Sequence, residues 1–200
     1  EKLVPRIEKL KVGPYTAGDD VDYGPVVTAA AKQNILGLVQ SGVDQGAELV
    51  IDGRDFSLQG YEDGFFVGPH LFDRVTPDMD IYKKEIFGPV LSTVRAGSYE
   101  EAIGLAIDHE YGNGTAIFTR DGDAARDFAN RINIGMVGIN VPIPVPLAYH
   151  TFGGWKKSAF GDLNQHGPDA FRFYTRTKTV TSRWPSGIKE GGEFNFKAMD

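Results

Sequence analysis

One short segment carries residues that could bind a polar ligand beside a flat ring. Residues 83–90 read KKEIFGPV, with a carboxylate at Glu85 and an aromatic ring at Phe87. A carboxylate offers two acceptor oxygens and no donor, which suits the hydroxyls of a sugar diol. Gly88 and Pro89 then break the chain before an apolar, β-prone run. These residues alone leave two readings open, a solvated charge before a strand and a ligand-binding carboxylate, and composition favours the solvated charge.

Three other motifs lack the spacing that their chemistry needs. YGNGTAI, at 111–117, lacks the third glycine of a dinucleotide loop and stands between a helix pattern and a strand pattern, the reverse of the required order. GGWKKS, at 153–158, ends like a phosphate-binding loop but lacks the leading glycine, so we interpret it as a tight turn with solvated lysines. The acidic residues of 73–80 and 121–123 lack the ligand series of a calcium loop.

No catalytic residue and no metal site is predicted in this sequence. It contains no cysteine, which removes thiolate nucleophiles, thiolate metal ligands and disulfides. Ser158 lies in no G-x-S-x-G elbow, so it is not predicted to be a nucleophile. The histidines lack the i, i+4 spacing of a zinc-binding helix and are scattered: His70, His109, His150 and His166.

Composition limits the classes of partner. The formal net charge is −6, which argues against binding to nucleic acid or to an anionic membrane surface. No apolar run approaches the roughly 20 residues of a membrane span, and the first residues lack a signal-peptide pattern. With 41% hydrophobic residues in 200, the chain can bury a core, as one domain or as a large piece of a longer protein.

The elements around the KKEIFGPV segment alternate between helix and strand. A helix is predicted from an N-cap at Thr28 to a C-cap at Gly46. Ser98 and Glu101 form a capping-box signature that opens a second helix, and Asp121 caps a third. Short β-prone runs separate these helices. The alternation predicts an α/β fold, with a mostly parallel sheet and flanking helices.

The alternating pattern ends at Asn140. Prolines at alternate positions in 142–146 cannot donate ladder hydrogen bonds, so the sequence predicts an extended loop that lies on the surface or lines a cleft. Residues 170–184 alternate and are rich in β-branched side chains, which predicts a long strand with an edge that needs a partner. Residues 185–200 have the composition of a polar tail.

Five motifs follow one another along the chain: GFFVGPHLFDRVTPDMDIYKKEIFGPV, YGNGTAIFTRD, INIGMVGIN, FGGWKKS and YTRTKTV. Taken in this order, they resemble the NAD(P)-dependent aldehyde dehydrogenase superfamily. The resemblance runs from about residue 10 to about residue 184, nearly the whole chain, and implies the aldehyde dehydrogenase catalytic-domain fold with an oligomerisation strand at its C-terminal end.

Residues 140–185 resemble more narrowly the CoA-acylating methylmalonate-semialdehyde dehydrogenases. Asp162 and Leu163 stand where many hydrolytic members carry an Arg-Glu pair, and an apolar Leu163 cannot orient a hydrolytic water. The resemblance implies NAD as cofactor, coenzyme A as acyl acceptor, and conversion of a small semialdehyde, malonate or methylmalonate semialdehyde, to acetyl-CoA or propionyl-CoA. Two alternatives stay open: part of a hydrolytic aldehyde dehydrogenase, and an oligomerisation or interaction module without catalysis.

The resemblance assigns roles to four residues. Glu85 matches the family glutamate that binds the nicotinamide ribose hydroxyls, and Phe87 matches the aromatic residue near the nicotinamide. Phe152 matches an aromatic residue that lines the substrate tunnel, and Asn140 lies in the loop that borders the tunnel. The family's catalytic cysteine and Rossmann domain lie upstream of these motifs. The resemblance therefore implies the C-terminal part of a longer enzyme, and we expect the isolated chain to be inactive.

Three segments and one assembly follow from the same resemblance. Residues 1–170 would be a portion of the catalytic domain, residues 171–184 the oligomerisation strand and residues 185–200 the tail. A homo-oligomer joined through residues 172–183 is expected. The expected compartment is the cytoplasm, or the mitochondrial matrix in a eukaryote.

Overall fold

The computed structural model describes residues 2–184, which fall into two compact units. The larger unit contains the residues up to Val145 together with Gly153–Phe160. The smaller unit contains Pro146–Phe152 and the residues from Gly161 onward. The segments 1–170 and 171–184 stay predictions, and the predicted tail, 185–200, lies outside the described residues.

Helices and strands alternate along most of the described chain. In chain order they are α1 (Val4–Ile7), α2 (Ala29–Asp44), β1 (Glu48–Ile51), β2 (His70–Val75), α3 (Asp80–Lys83), β3 (Val90–Val94), α4 (Tyr99–Asp108), β4 (Tyr111–Gly112), β5 (Gly114–Ile117), α5 (Gly122–Arg131), β6 (Met136–Ile139), β7 (Trp155–Lys156) and α6 (Ala170–Tyr174), with 3₁₀ turns at Tyr15–Ala17 and Gly167–Asp169. Within residues 2–184, no helix has the length and apolarity needed to cross a membrane.

Helix α2 has a cap at each end and an apolar face between them. The Thr28 hydroxyl accepts the N–H of Ala31 at 3.1 Å, as an N-cap does. Gly46, just beyond the helix, has a φ of +94°, which glycine adopts without a steric penalty. Both predicted caps are confirmed. Val39 of this helix and Phe72 of β2 are fully buried in one cluster, and full burial of such a ring stabilises the fold by about 3 kcal/mol.

The strands form three small sheets of mixed direction. Strands β2 and β3 pair in parallel, as do β5 and β6, whereas β1 pairs antiparallel with β2 and β4 with β7. The prediction of a mostly parallel sheet is therefore right for two pairings and wrong for two. Parallel neighbours need a crossover, which α3 and α5 provide. No helix lies between β1 and β2, so the intervening residues 52–69 return the chain in the opposite direction.

The second core cluster lies under α4 and α5, both of which begin at predicted caps. Ser98 accepts the N–H of Glu101 at 3.1 Å, but Glu101 accepts from Gly97 at 2.6 Å and not from Ser98, so the capping box is shifted by one residue. Asp121 accepts from the first turn of α5 at 2.8 Å. These helices pack on a cluster of four buried apolar residues: Ile103, Phe128, Ile132 and Ile134.

The predicted long strand at 170–184 is not present. Ala170–Tyr174 form the helix α6, and residues 175–184 are exposed without helix or strand. A strand is defined by ladder hydrogen bonds to a partner, and no other strand of the described chain pairs with this segment. The alternating pattern in the sequence therefore does not form a strand within this chain.

Candidate functional site

The segment from Lys84 to Pro89 is fixed at both ends and in the middle. At its start the Lys84 N–H donates to the Asp80 carbonyl at 2.9 Å. At its end the Pro89 carbonyl accepts the N–H of His70, the first residue of β2, at 2.9 Å. Between them Ile86 packs against the core that contains α2 and β2. These anchors leave the side chains on either side of Ile86 pointing away from the core.

Gly88 allows this segment to pass close to α2. A Cβ added at Gly88 would lie 2.7 Å from Cδ1 of Ile35, closer than real Cβ atoms approach. Ile35 is itself buried at 1% exposure, so it has little room to move. The glycine in the Gly88-Pro89 pair is therefore required by packing.

Phe87 adopts a backbone conformation that is unfavourable for an aromatic residue. Its φ is +56°, in the left-handed region, and its side chain is 80% exposed. Such outliers cost about 1–3 kcal/mol and persist only where the surrounding structure imposes them. Here Ile86 and Gly88 impose it, and the result is an aromatic ring held out in solvent.

Glu85 lies at the edge of a cleft with a volume of about 520 Å³. Its side chain is exposed, and no hydrogen bond or ion pair within residues 2–184 involves its carboxylate. The cleft is formed by α3, the end of α4, β4 and the β7 turn, and nine residues line it: Tyr82, Lys83, Lys84, Glu85, His109, Tyr111, Asn113, Lys157 and Ser158.

The lysines of the cleft have partners other than Glu85. Lys83 donates to the Asp78 carbonyl at 2.7 Å, and Lys84 lies 3.1 Å from the Asp80 carboxylate. Lys157 is paired with Glu110, which holds the pKa of Glu110 below and that of Lys157 above the ordinary value. The positive charge of the cleft is therefore largely compensated, and the Glu85 carboxylate remains available to accept hydrogen bonds.

His109 connects the two walls of the cleft. Its Nε2 lies 3.1 Å from the Tyr82 carbonyl, and its Nδ1 accepts the N–H of Tyr111 at 3.1 Å, so this arrangement fits the neutral tautomer with the proton on Nε2. Its ring packs edge-on against Tyr82, with centroids 5.1 Å apart. No spacing in the sequence singles out His109, because its contacts to Tyr82 join elements far apart in the chain.

Lys156, in β7, ties this strand to the end of α4, and sequence reasoning missed its role. Its ammonium donates to three carbonyls at the end of α4, those of Ala106, Ile107 and His109, at 3.2, 2.7 and 2.9 Å. These are unpaired groups at a helix C-terminus, where a cation is also favoured by the helix dipole. The interpretation of two solvated lysines in GGWKKS is therefore wrong for Lys156, which is half-buried, and right for the exposed Lys157.

Asn140 follows the last residue of β6, and its side chain binds Thr119 in the loop after β5. Its amide oxygen accepts the N–H of Thr119 at 2.9 Å, and its amide nitrogen donates to the Thr119 carbonyl at 3.0 Å. Its φ is +58°, a conformation that asparagine tolerates better than most residues. Both hydrogen-bonding ends of the amide are thus engaged in fixing the start of the proline-rich loop.

Phe152 lies in the smaller unit, whereas Glu85, Phe87 and Asn140 lie in the larger one. The Phe152 ring is half-buried and packs on the ring of His166, with centroids 4.4 Å apart and an interplanar angle of 40°. The structure brings Glu85 and Phe87 together within one segment. Among the described residues, no group of three or more His, Asp or Glu side chains could hold a metal ion.

Comparison with known proteins identifies the class of protein. The sequence profile of the aldehyde dehydrogenase family matches residues 1–180, so the chain belongs to that family. Malonate-semialdehyde dehydrogenase of Pseudomonas aeruginosa is 60% identical over 99% of this chain. The acylating, mitochondrial methylmalonate-semialdehyde dehydrogenase of Arabidopsis thaliana is 52% identical over 92% of it.

A solved structure agrees with these relatives. The structure from Sinorhizobium meliloti, named for methylmalonate-semialdehyde dehydrogenase and complexed with NAD, has 72% identity and a TM-score of 0.85 over 94% of this chain. The chain spans 40% of the Pseudomonas protein, 30% of the Arabidopsis protein and 38% of the Sinorhizobium chain. The C-terminal position within a longer enzyme stays a prediction.

Proposed function

We propose that this chain is part of an NAD-dependent, CoA-acylating dehydrogenase of malonate or methylmalonate semialdehyde. In that enzyme Glu85 binds the ribose hydroxyls next to the nicotinamide, and Phe87 packs near the ring. The relatives named above support the substrate class, and the name of the Arabidopsis relative includes acylation. Oxidation of methylmalonate semialdehyde to a propionyl thioester requires, by atom balance, the loss of one carbon as carbon dioxide. Bound NAD supplies the hydride acceptor.

The observation that carries this proposal is the presentation of Glu85 and Phe87. The carboxylate has no partner within residues 2–184, and the ring is held 80% exposed by a strained backbone. If these residues had only a structural role, we would expect the Phe87 ring to be buried or the Glu85 carboxylate to be paired. A vicinal diol can donate two hydrogen bonds to one carboxylate, and a nearby ring can pack on a flat heterocycle, so the residues present fit the ribose and nicotinamide of NAD.

The test of this role is Glu85→Gln in the full-length enzyme that contains this sequence. The neutral amide loses charge-assisted acceptance, so we expect the KM for NAD to rise about tenfold, for roughly 1.4 kcal/mol, with the KM for the semialdehyde unchanged. The matched control is Glu8→Gln, since Glu8 is also exposed and has no side-chain partner among the described residues. An unchanged KM for NAD in Glu85→Gln would contradict the proposal.

Product analysis separates the acylating enzyme from a hydrolytic one. We expect the full-length enzyme to form an acyl-CoA thioester at a rate that depends on coenzyme A. Equal turnover to a free carboxylate without coenzyme A would favour the hydrolytic alternative. Asp162 and Leu163 give the sequence-based reason to expect the first result.

The isolated chain is proposed to be inactive and to bind NAD weakly. Glu85 and Phe87 offer contacts to one end of the dinucleotide only, and the chain contains no cysteine to act as nucleophile. Calorimetry with NAD should give no binding at micromolar concentrations, and an assay with malonate semialdehyde should show no NAD reduction. Turnover by the isolated chain would contradict this proposal.

We also propose that residues 172–183 contact a second copy of the protein. The part beyond α6 is exposed, with Val180 at 76% exposure and no strand partner in the described chain. An exposed segment that joins no sheet of its own chain can pair with the strand edge of another chain. Sedimentation at micromolar concentration should show association that Val180→Pro weakens. A monomer at these concentrations would contradict the proposal.

A further inference from the structure

His70 is a buried histidine that the proposed function does not use. It is the first residue of β2, its side chain is 1% exposed, and neither ring nitrogen has a hydrogen-bond partner among residues 2–184. One nitrogen of a neutral imidazole is a donor and the other an acceptor, and leaving both unpaired in a protein interior is costly. Most buried polar groups are paired, so this exception needs a physical explanation.

The position of His70 ties it to the segment that presents Glu85 and Phe87. Its backbone N–H donates to the Pro89 carbonyl at 2.9 Å, and it pairs with Val90 in the parallel register of β2 and β3. His70, Gly88, Pro89 and Val90 also line one mostly apolar pocket of about 490 Å³. A displacement of His70 would therefore move the end of the Lys84–Pro89 segment.

Few charges face the His70 ring. Asp52, after β1, places Oδ1 at 3.9 Å from Nε2, beyond hydrogen-bond distance. The Arg54 guanidinium already binds Asp52 through Nε, at 2.9 and 3.0 Å from its two oxygens. On the remaining side Tyr23 donates to the Val67 carbonyl, and burial raises its pKa to about 12, so it stays neutral. The other residues of the pocket, including those from α1, are apolar or glycine.

We propose that His70 is a positioning residue that holds the Glu85–Phe87 segment in place only while its imidazole is neutral. A proton on the ring would place a cation in the buried interior, opposite a carboxylate that is already paired with Arg54. Either the ring leaves its buried position or Asp52 turns from Arg54 toward it. Both movements disturb the start of β2 and, through the Pro89 carbonyl, the presentation of Glu85.

The direction of the pH effect follows from burial. Burial lowers the pKa of His70, and the Asp52 carboxylate and the backbone of Gly68 and Pro89 oppose this only in part. In the unfolded chain the histidine takes up a proton near pH 6.5, whereas in the folded chain it does so only at lower pH. The unfolded state therefore binds more protons between these two values, so stability is full above about pH 6.5 and falls as the pH drops below it.

Nuclear magnetic resonance on this chain tests the proposal. Titration of the histidine ring signals and of the Gly88 and Val90 amides should give one shared midpoint, below about 6.5, for His70 and both amides. In His70→Gln the two amides should keep their neutral-pH positions and lose the titration. His150→Gln is the control and should leave the amide titration intact. The proposal is wrong if His70 titrates at or above pH 6.5, or if the amides do not follow it.

Two further measurements keep the test decisive. If His70→Gln does not fold, Asp52→Asn replaces it: without the opposing carboxylate, the His70 and Gly88 midpoints should fall together, and a fall in only one would contradict the coupling. The link to NAD rests on the proposed function. In the full-length enzyme the KM for NAD should rise by up to about tenfold per pH unit below the midpoint, and be flat in His70→Gln. The KM for NAD of the wild type could be independent of pH although the amides titrate with His70. That result would reject the proposed role of Glu85 in NAD binding, but not the coupling between His70 and the Lys84–Pro89 segment.

Discussion

Phe87 and Lys156 have nearly the same backbone conformation, with φ of +56° and +52°, and opposite environments. The Phe87 ring is held in solvent, whereas the Lys156 ammonium is bound by three carbonyls at the end of α4. In each case packing of the neighbouring residues imposes a strained backbone on a residue other than glycine. The difference lies in what the side chain does once it is there.

This contrast separates two uses of backbone strain. The strain at Lys156 is offset within the chain, by hydrogen bonds that pair the last carbonyls of a helix. The strain at Phe87 has no such compensation within residues 2–184, which is the pattern expected where a side chain is presented to a ligand. Asn140 resembles Lys156 in this respect, since its amide is fully engaged with Thr119.

The largest expected effect is at Lys156. Replacement by methionine keeps the aliphatic stem and removes three hydrogen bonds to the end of α4, so Lys156→Met should lower the free energy of unfolding by about 2–3 kcal/mol. Lys157→Met is the matched control and should cost less than about 1 kcal/mol, because Lys157 forms only an exposed ion pair. Urea unfolding measures both. If both variants lose the same free energy of unfolding, Lys156 contributes no more to the fold than Lys157 does.

The next effect is at Gly88. A Cβ there would meet Ile35 at 2.7 Å, so Gly88→Ala should destabilise the protein by about 1.5–2 kcal/mol through overpacking. Gly104→Ala is the control, because Gly104 lies within α4 with open space around its Cβ position and should gain stability, by about 0.5–1 kcal/mol. A neutral Gly88→Ala, measured by urea unfolding, would show that Ile35 does not constrain the turn.

Asn140 should show an intermediate effect. Asn140→Ala removes two hydrogen bonds to Thr119 and leaves an alanine in the left-handed region, for an expected loss of about 1.5 kcal/mol. Asn140→Gly removes the same bonds without the conformational penalty and should lose less. Thermal and urea unfolding of the two variants compare the contributions. If both variants unfold like the wild type, the amide does not secure the loop.

The smallest effect is expected at Phe87. The exposed ring contributes little to the core, so Phe87→Ala should change the free energy of unfolding by less than about 0.5 kcal/mol. The same substitution in the full-length enzyme should weaken NAD binding, measured by fluorescence or calorimetry. A loss of stability above 1 kcal/mol would mean that the ring packs within the chain, and the contrast with Lys156 would fail.

Local signals in the sequence predicted the local features of the fold. The caps at Thr28 and Asp121 were identifiable because a capping side chain binds groups two or three residues away. Parallel pairing was predicted correctly for β2 with β3 and for β5 with β6, where a single helix joins two consecutive strands. It failed for β1 and β2, since the direction of a long connection such as 52–69 is set by tertiary packing.

Contacts between distant segments were outside the reach of the sequence. Lys156 caps the end of α4, and its three hydrogen bonds join residues that are 47 to 50 positions apart in the chain. The alternating, β-branched pattern of residues 170–184 predicted a strand, because β-propensity measures how well side chains fit a pleated, half-buried surface. A strand also needs a partner strand, which the propensity does not supply. Glu85 was identifiable as a candidate by its residue type, but only the structure shows that its side chain is exposed and has no partner within residues 2–184.

The burial of Lys156 has a chemical consequence. An ammonium that donates three hydrogen bonds is a poor nucleophile, so amine-reactive reagents should acylate Lys156 only when the β7 turn detaches from α4. The exposed Lys157, its immediate neighbour, reacts in the closed state and serves as an internal standard. The ratio of the two labelling rates, followed by mass spectrometry, therefore gives the fraction of time that the turn spends open, without any substitution in the protein.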